Sequence, residues 1–140
     1  MDVVAVVAVD ARCSMLDVLC RRGSRFVLVG SAGCWLLGES VCPNDLDIVA
    51  DTTLACRPML VDALVDLHAG VECRWGRVPV SSSMQLPWDW GWRATTAYGP
   101  IDVVTRFIDD TTFEDHDRLA VTVTLPSGNT VKCHPTRRAA

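Results

Sequence analysis

Four short runs of apolar and β-branched residues constrain what this 140-residue chain can fold into. The runs are Val3–Val9, Phe26–Val29, Leu46–Ala50 and Ile101–Phe107. Their short length and their turn-forming neighbours, such as Gly30 and Asn44, are typical of buried strands. The first run also suits the start of a helix, so both assignments stay open for it.

Helical patterns alternate with these runs. Ala11–Arg22 carries apolar residues on one face and has Gly23 as its stop signal. A second, short helix is predicted over Ala32–Leu37. Pro58 suits the first residue of a third helix, and Gly70 is its predicted end. The apolar positions of that helix follow the i, i+3, i+4, i+7 rule and are Leu60, Ala63, Leu64 and Leu67.

The rest of the chain is less regular. Val71–Tyr98 has no clear period and contains two prolines and three consecutive serines, so we expect a functional loop or an insertion there. Leu119–Leu125 and Thr130–Cys133 flank a Pro-Ser-Gly-Asn turn and predict a β-hairpin. The predicted fold class is therefore α/β or α+β, with a mixed β-sheet and helices on one face. Residues 1–140 have the apolar content of a single domain.

Charge and composition exclude several classes of protein. The formal net charge of −4 argues against binding of nucleic acid by bulk positive charge, because phosphate contacts require clustered Lys and Arg. No run approaches the ~18 apolar residues of a membrane span, and the first run lacks the basic flank and length of a secretory signal. Seven cysteines without a C-x-x-C pair indicate neither zinc nor a disulfide framework. We therefore expect a cytoplasmic protein with no membrane partner.

Three aspartates are the candidate chemical groups. Asp45 and Asp47 occur in NDLDIVAD, and Asp102 occurs in YGPIDVVTR. Side chains two residues apart on a strand share a face, so Asp45 and Asp47 project together. Adjacent carboxylates repel unless a cation neutralises them, and Mg²⁺ commonly takes one or two carboxylates plus substrate phosphates. A neighbouring strand that carries Asp102 would complete this metal site. The alternative is that all three are ordinary acids at strand ends.

A glycine-serine pair precedes the aspartates. FVLVGSAG puts Gly30 and Ser31 where a strand gives way to a helix. Gly30 permits close approach of the backbone, Ser31 offers a hydroxyl, and free amides at a helix start attract phosphate. The sequence therefore predicts a phosphate-binding corner ahead of a metal site, with a plain turn as the alternative.

This order of features resembles the DNA-polymerase-β-type nucleotidyltransferase superfamily. The resemblance covers Phe26–Cys133, and the matching residues are Gly30-Ser31, Leu36-Leu37-Gly38, Asp45-Leu46-Asp47 and Asp102. The thirteen residues between Ser31 and Asp45 look like the spacing in the group of abortive-infection nucleotidyltransferase toxins and tRNA-end-adding enzymes. Unlike the tRNA-end-adding enzymes, this chain has no Arg-Asp after the Gly-Ser pair.

The resemblance implies a nucleotidyltransferase-like core and a metal-dependent transfer of a nucleoside monophosphate from a nucleoside triphosphate to an acceptor hydroxyl. Asp45, Asp47 and Asp102 would be the catalytic residues and would hold two Mg²⁺ ions, with Mn²⁺ as a substitute. Asp102 would also help to deprotonate the acceptor. Gly30 and Ser31 would bind the triphosphate. RNA, a protein and a small molecule all remain open as acceptors.

Other functions stay open beside this hypothesis. A catalytically silent module of the same fold, antitoxin-like or regulatory, would bind a nucleotide or a partner protein without turnover. A D-x-D glycosyltransferase is a third hypothesis, which the short chain disfavours. Trp88, Trp90 and Trp92 alternate, which suits a stacking platform, a partner-protein interface or core packing. Arg93 and Arg106 are either phosphate ligands or ordinary solvated arginines.

Overall fold

The computed structural model describes residues 2–4, 11–89, 91–105, 107 and 109–134, and nine strands and four helices form within these ranges. The strands are β1 Asp2–Val4, β2 Phe26–Val29, β3 Leu46–Ala50, β4 Gly70–Cys73, β5 Gly76–Pro79, β6 Trp92–Thr96, β7 Gly99–Val104, β8 Val121–Thr124 and β9 Thr130–Cys133. The helices are α1 Ala11–Arg21, α2 Gly30–Leu36, α3 Arg57–Asp66 and α4 Phe113–Leu119. No helix in the described part of the chain has the length and apolar character needed to cross a membrane.

All the strands belong to one mixed sheet, in the order β1-β8-β9-β2-β3-β7-β6-β4-β5. The pairs β1 with β8, β9 with β2, and β3 with β7 are parallel, and the other neighbours are antiparallel. The fold is therefore α+β, and the predicted mixed β-sheet is confirmed.

Alternate residues of the central strands enter two apolar layers, one on each face of the sheet. The larger layer joins Leu28, Ile48 and Ile101 to the buried sides of α1, α2 and α3. The smaller layer consists of Val27, Val29, Val49 and Val104, packed against Phe107, Phe113 and Ala120. Phe113 begins α4, so this helix covers the second face. The prediction that helices lie on one face only is wrong for α4, because the second face carries its own apolar patch.

Periodicity does not predict α4, because His116 is its only buried residue. Its start is instead marked by a capping box of Thr112 and Asp115. The Thr112 hydroxyl accepts from the Asp115 backbone N–H at 3.4 Å, and the Asp115 carboxylate accepts from the Thr112 backbone N–H at 2.9 Å. This local pattern is the sequence signal that could have revealed the helix.

Two predicted strands have the expected bounds, and the second helix and the hairpin are present with shifted ends. Phe26–Val29 and Leu46–Ala50 are strands over their whole predicted length. The C-terminal hairpin forms as β8 and β9. The helix predicted over Ala32–Leu37 begins two residues earlier, at Gly30. For Val3–Val9, residues 3 and 4 are part of strand β1, and residues 5–9 lie outside the described residues.

The interpretation of Val71–Tyr98 as a loop or insertion is wrong, because most of β4, all of β5 and all of β6 lie within it. Every residue of β5 is exposed, so this strand lacks the apolar alternation that reveals a strand from sequence. The predicted helix end at Gly70 is also wrong. α3 ends at Asp66, His68 adopts the left-handed conformation with φ 53°, and Gly70 begins β4.

Candidate functional site

Neighbouring strands place charged residues side by side on one face of the sheet. In the pairing register, Asp47 of β3 lies beside Asp102 of β7, and Asp102 lies opposite Arg93 of β6. Asp47 and Asp102 each precede by two residues a valine of the smaller apolar layer, Val49 and Val104. The charged row is therefore on the face that α4 partly covers.

The three predicted aspartates meet at this row. Asp45, Asp47 and Asp102 each contribute a carboxylate oxygen, and these oxygens all lie within 4.8 Å of one another. Asp45 stands immediately before β3, and all three residues are partly buried. Ionised carboxylates about 4 Å apart repel by about 4 kcal/mol at an effective dielectric of about 20, and partial exposure to solvent reduces this value. The cluster therefore needs positive charge nearby.

The donor set fits a hard divalent cation. Mg²⁺ prefers oxygen ligands at about 2.0–2.1 Å and completes its shell with water or phosphate oxygens. Three carboxylate oxygens within 4.8 Å of one another are close enough to share such an ion after small side-chain rotations. Asp45, Asp47 and Asp102 are thus the residues that could hold a metal.

Gly30 and Ser31 form the corner between β2 and α2, directly against the acidic cluster. Gly30 has φ +66°, which side chains rarely adopt, and a Cβ built there would be 3.0 Å from Asp47 Oδ2. Gly30 is therefore suited to its position both by its backbone conformation and by its contact with Asp47. Ser31 follows as the second residue of α2 and is partly exposed. The predicted corner and the predicted metal ligands are adjacent in space.

Arg93 is the site residue that sequence reasoning left undecided. Its Nε donates to Asp102 Oδ1 at 2.9 Å and its Nη2 donates to Asp102 Oδ2 at 3.0 Å. The same Nη2 donates to Asp45 Oδ2 at 2.5 Å. Arg93 therefore bridges two of the three aspartates through a forked contact, which guanidinium geometry favours. Arg106, the other arginine singled out from the sequence, lies outside the described residues.

These contacts set the charge of the site. Burial raises the pKa of the Asp102 carboxyl, but hydrogen bonds from Arg93 and within the cluster, together with the Arg93 charge, outweigh it and hold that pKa below its ordinary value. Hydrogen bonds and the negative charge of Asp102 raise the pKa of Arg93 above its ordinary value. With all four groups ionised, three carboxylates and one guanidinium leave two negative charges, which is the charge one divalent cation neutralises.

A cavity of about 540 Å³ adjoins Arg93 on the side away from Gly30. Residues 71–73 of β4, Val78 of β5, the segment 84–87 and residues 91–93 line it. Most of these side chains are apolar, and Glu72 adds a carboxylate that accepts from the Thr95 hydroxyl at 2.8 Å. Val71, Leu86 and Trp92 belong to the larger apolar layer, and Val78 pairs with Val71, so this cavity opens mainly on the sheet face opposite the acidic cluster. The cluster's own face has the glycine-serine corner on one side and Arg93 with Glu72 on the other.

The alternating tryptophans do not form one exposed platform. Trp92 is a buried core residue, and Trp88 packs edge-on against it with ring centroids 6.1 Å apart. Core packing is therefore confirmed for Trp92, and Trp90 lies outside the described residues. The exposed ring is that of Trp75 in the β4–β5 turn, with 87% of its surface accessible.

Comparisons with known proteins assign no family to the chain. No protein-family model, no curated protein and no solved structure matches it.

Proposed function

We propose that this protein is a metal-dependent nucleotidyltransferase, which transfers a nucleoside monophosphate from a nucleoside triphosphate to an acceptor hydroxyl. The observation that carries the proposal is the meeting of Asp45, Asp47 and Asp102 beside the Gly30 corner. Asp102 is far from Asp45 and Asp47 in the chain, and neighbouring strands bring the three carboxylates within 4.8 Å of one another. The three aspartates are the ones that the resemblance assigns to catalysis.

The strand arrangement supports the same function. β2, which leads into Gly30 and Ser31, pairs antiparallel with β3, and β3 pairs parallel with β7. The order of strand, Gly-Ser, helix, D-x-D strand and later Asp-bearing strand is the pattern on which the resemblance rests. Here the three strands are immediate neighbours in the sheet. A phosphate-binding corner and a metal site on adjacent strands suit one triphosphate that contacts both.

Each residue has a stated role in the proposed reaction. Asp45, Asp47 and Asp102 would hold two Mg²⁺ ions, which neutralise phosphate charge and lower the pKa of the acceptor hydroxyl when bound. Gly30 lets the triphosphate approach the backbone, and the Ser31 hydroxyl donates to a phosphate oxygen. Asp102 orients the acceptor hydroxyl and takes up its proton. The acceptor oxygen then bonds to the α-phosphorus as the bond to pyrophosphate breaks, so pyrophosphate leaves.

The positions of the glycine-serine corner and Arg93 give the proposed reaction a direction. Attacking and leaving oxygens lie roughly in line in phosphoryl transfer. If pyrophosphate leaves on the β2 side, beside Gly30 and Ser31, the acceptor enters from the opposite side, beside Arg93. Glu72 lies beyond Arg93 on that side of the same face, since its carboxylate accepts from the Thr95 hydroxyl. This carboxylate and the net charge of −4 favour a protein side chain or a small molecule as acceptor over an extended RNA.

Label transfer tests the proposed function. The protein is incubated with each α-labelled nucleoside triphosphate, Mg²⁺ or Mn²⁺, and separate RNA, protein and small-molecule fractions of a cell extract. We expect transfer by the unaltered chain and none by the Asp45→Asn, Asp47→Asn double variant. Asp62→Asn, which changes an exposed acid on α3, is the matched control and keeps the activity. Absence of transfer to every fraction, or transfer that survives the double variant, contradicts the proposal.

One observation favours the second candidate, a silent binding module. Arg93 already pairs with Asp45 and Asp102, as a permanent structural bridge would. In that case the protein would bind nucleotide or a partner protein without turnover. Calorimetric titration with a nucleoside triphosphate and Mg²⁺ separates the two candidates, because a silent module shows binding that leaves the nucleotide intact in every fraction.

A further inference from the structure

We propose that Arg93 is a displaceable counter-ion, which closes the acidic cluster in the metal-free protein and turns to the triphosphate when metal and nucleotide bind. This inference rests on the proposed function, because it concerns the same site. It assigns Arg93 to phosphate binding and makes metal and arginine competitors for the same carboxylates.

The contacts of Arg93 occupy the oxygens that a metal would need. Both carboxylate oxygens of Asp102 accept from Arg93, and so does Oδ2 of Asp45. A divalent ion at about 2.1 Å from these oxygens would lie close to the guanidinium, and the two positive charges would repel each other. Stable occupation by both is therefore unfavourable, and the metal must displace at least part of the forked contact.

Arg93 has room to move once it is displaced. Its side chain is 43% exposed. Glu72 of β4 lies on the same face of the sheet, because its carboxylate accepts from Thr95, which is two residues after Arg93 on β6. The negative charge of Glu72 also contributes to the raised pKa of Arg93. A guanidinium that leaves Asp102 therefore meets another carboxylate rather than an apolar wall. From that position its planar fork remains beside the metal site, where the phosphates of a bound nucleotide would lie.

The competing explanation is that Arg93 is purely structural and joins β6 to β7. A structural bridge would stabilise the sheet equally with and without metal. A displaceable counter-ion instead weakens metal binding in the absence of nucleotide, and then strengthens nucleotide binding in the presence of metal. These opposite signs separate the two explanations without any measurement of catalysis.

The experiment measures Mn²⁺ binding by electron paramagnetic resonance for the full chain and for Arg93→Gln, without nucleotide. We expect Arg93→Gln to lower the Kd for Mn²⁺ by about tenfold, since one positive charge leaves the site. In the presence of saturating Mn²⁺, the Kd for a non-hydrolysable nucleoside triphosphate is expected to rise by about tenfold. Arg93→Lys, which keeps the charge but loses the fork, should give intermediate values for both constants.

Arg22→Gln is the matched control. Arg22 also makes a forked pair with one aspartate, Asp66, and its side chain is 45% exposed. We expect both constants of this variant to equal those of the unaltered protein. Thermal unfolding in a chelator verifies that each variant is folded. The same measurement with Mn²⁺ is a second readout, because we expect Mn²⁺ to raise the unfolding temperature of Arg93→Gln more than that of the unaltered chain.

The outcomes separate the inference from the proposed function. If the unaltered protein binds Mn²⁺ and Arg93→Gln binds it with the same Kd, the counter-ion role is wrong and the transferase proposal stands. If Arg93→Lys folds and likewise leaves both constants unchanged, the same conclusion holds even where Arg93→Gln fails to fold. If neither the unaltered chain nor any variant binds Mn²⁺, the proposed metal-dependent function itself is wrong.

Discussion

At the scale of single residues, the site depends on the close approach of Gly30 to the Asp47 carboxylate as much as on charge. Gly30 leaves the corner open for the Asp47 carboxylate, because no side chain stands between them. Arg93 supplies the positive charge that lets three acids share one small volume. Gly30 thus provides space at the site, and Arg93 provides the compensating charge.

Gly30→Ala separates backbone strain from damage to the site. The left-handed φ of +66° costs a residue with a Cβ about 1–2 kcal/mol of stability, and the added Cβ would lie 3.0 Å from Asp47 Oδ2. Gly23→Ala is the control, since Gly23 has φ +72° and nothing within 4 Å of its Cβ position. We expect similar losses in urea unfolding for both variants and a weakened Kd for Mn²⁺ only in Gly30→Ala. Equal Mn²⁺ affinities would show that the contact with Asp47 is unimportant.

At the scale of elements, the β2–β3 pair has the candidate site at one end. At its other end it has a set of contacts to Asp51, here called the Asp51 closure. Asp51 directly follows β3 and is almost fully buried, and its carboxylate accepts from Arg25 Nη1 at 2.8 Å and from the Thr53 backbone N–H at 3.1 Å. The Asp51 backbone N–H also donates to the Arg25 carbonyl at 3.0 Å. This closure fixes the end of the strand pair that lies away from the acidic cluster.

The Asp51 closure gives the fold a predictable acid sensitivity. Burial raises the pKa of Asp51, but hydrogen bonds from Thr53 and Cys56 and the Arg25 charge outweigh it, so the pKa lies below its ordinary value. A lowered pKa in the folded state stabilises the fold above about pH 4, and this stabilisation is lost as pH falls through the lowered pKa. Asp51→Asn should therefore lose about 1 kcal/mol at pH 7 and less at pH 3, measured by urea unfolding. A loss that does not change with pH would contradict this assignment, and Asp62→Asn is the exposed control.

Local patterns predict the elements at the centre of the sheet and fail at its edge. Phe26–Val29 and Leu46–Ala50 are buried, so their apolar runs are visible in the sequence. β5 is exposed along its whole length and is held by pairing with β4, which no local pattern encodes. The Asp45 and Asp47 pair is recognisable because acids interrupt an apolar strand. The role of Arg93 depends on the β6–β7 register, a relation between strands that the sequence alone does not reveal.

At the scale of the whole molecule, the strand order places the groups of the proposed reaction along one line across the sheet. β2, β3, β7, β6 and β4 are successive neighbours in the sheet. Along that line, on one face of the sheet, lie the glycine-serine corner, the acidic cluster, Arg93 and Glu72. Neighbouring strands are about 4.8 Å apart, so the line from β2 to β4 is about 19 Å long. That length suits a triphosphate at one end and an acceptor at the other.

This layout predicts that added bulk on the β4 side of Arg93 impairs use of the acceptor and spares the nucleotide. Thr95 lies two residues after Arg93 on β6 and so faces the same side of the sheet, where Thr95→Trp places an indole. Val78→Trp is the control, because Val78 is exposed but pairs with Val71 of the larger apolar layer and so lies on the opposite face. We expect Thr95→Trp to lower label transfer by at least about tenfold with an unchanged Kd for the Mn²⁺-bound triphosphate, since a misplaced acceptor reacts slowly, and Val78→Trp to change neither value. A parallel loss of nucleotide affinity in Thr95→Trp would instead assign this side to the nucleoside and would reverse the direction of the line.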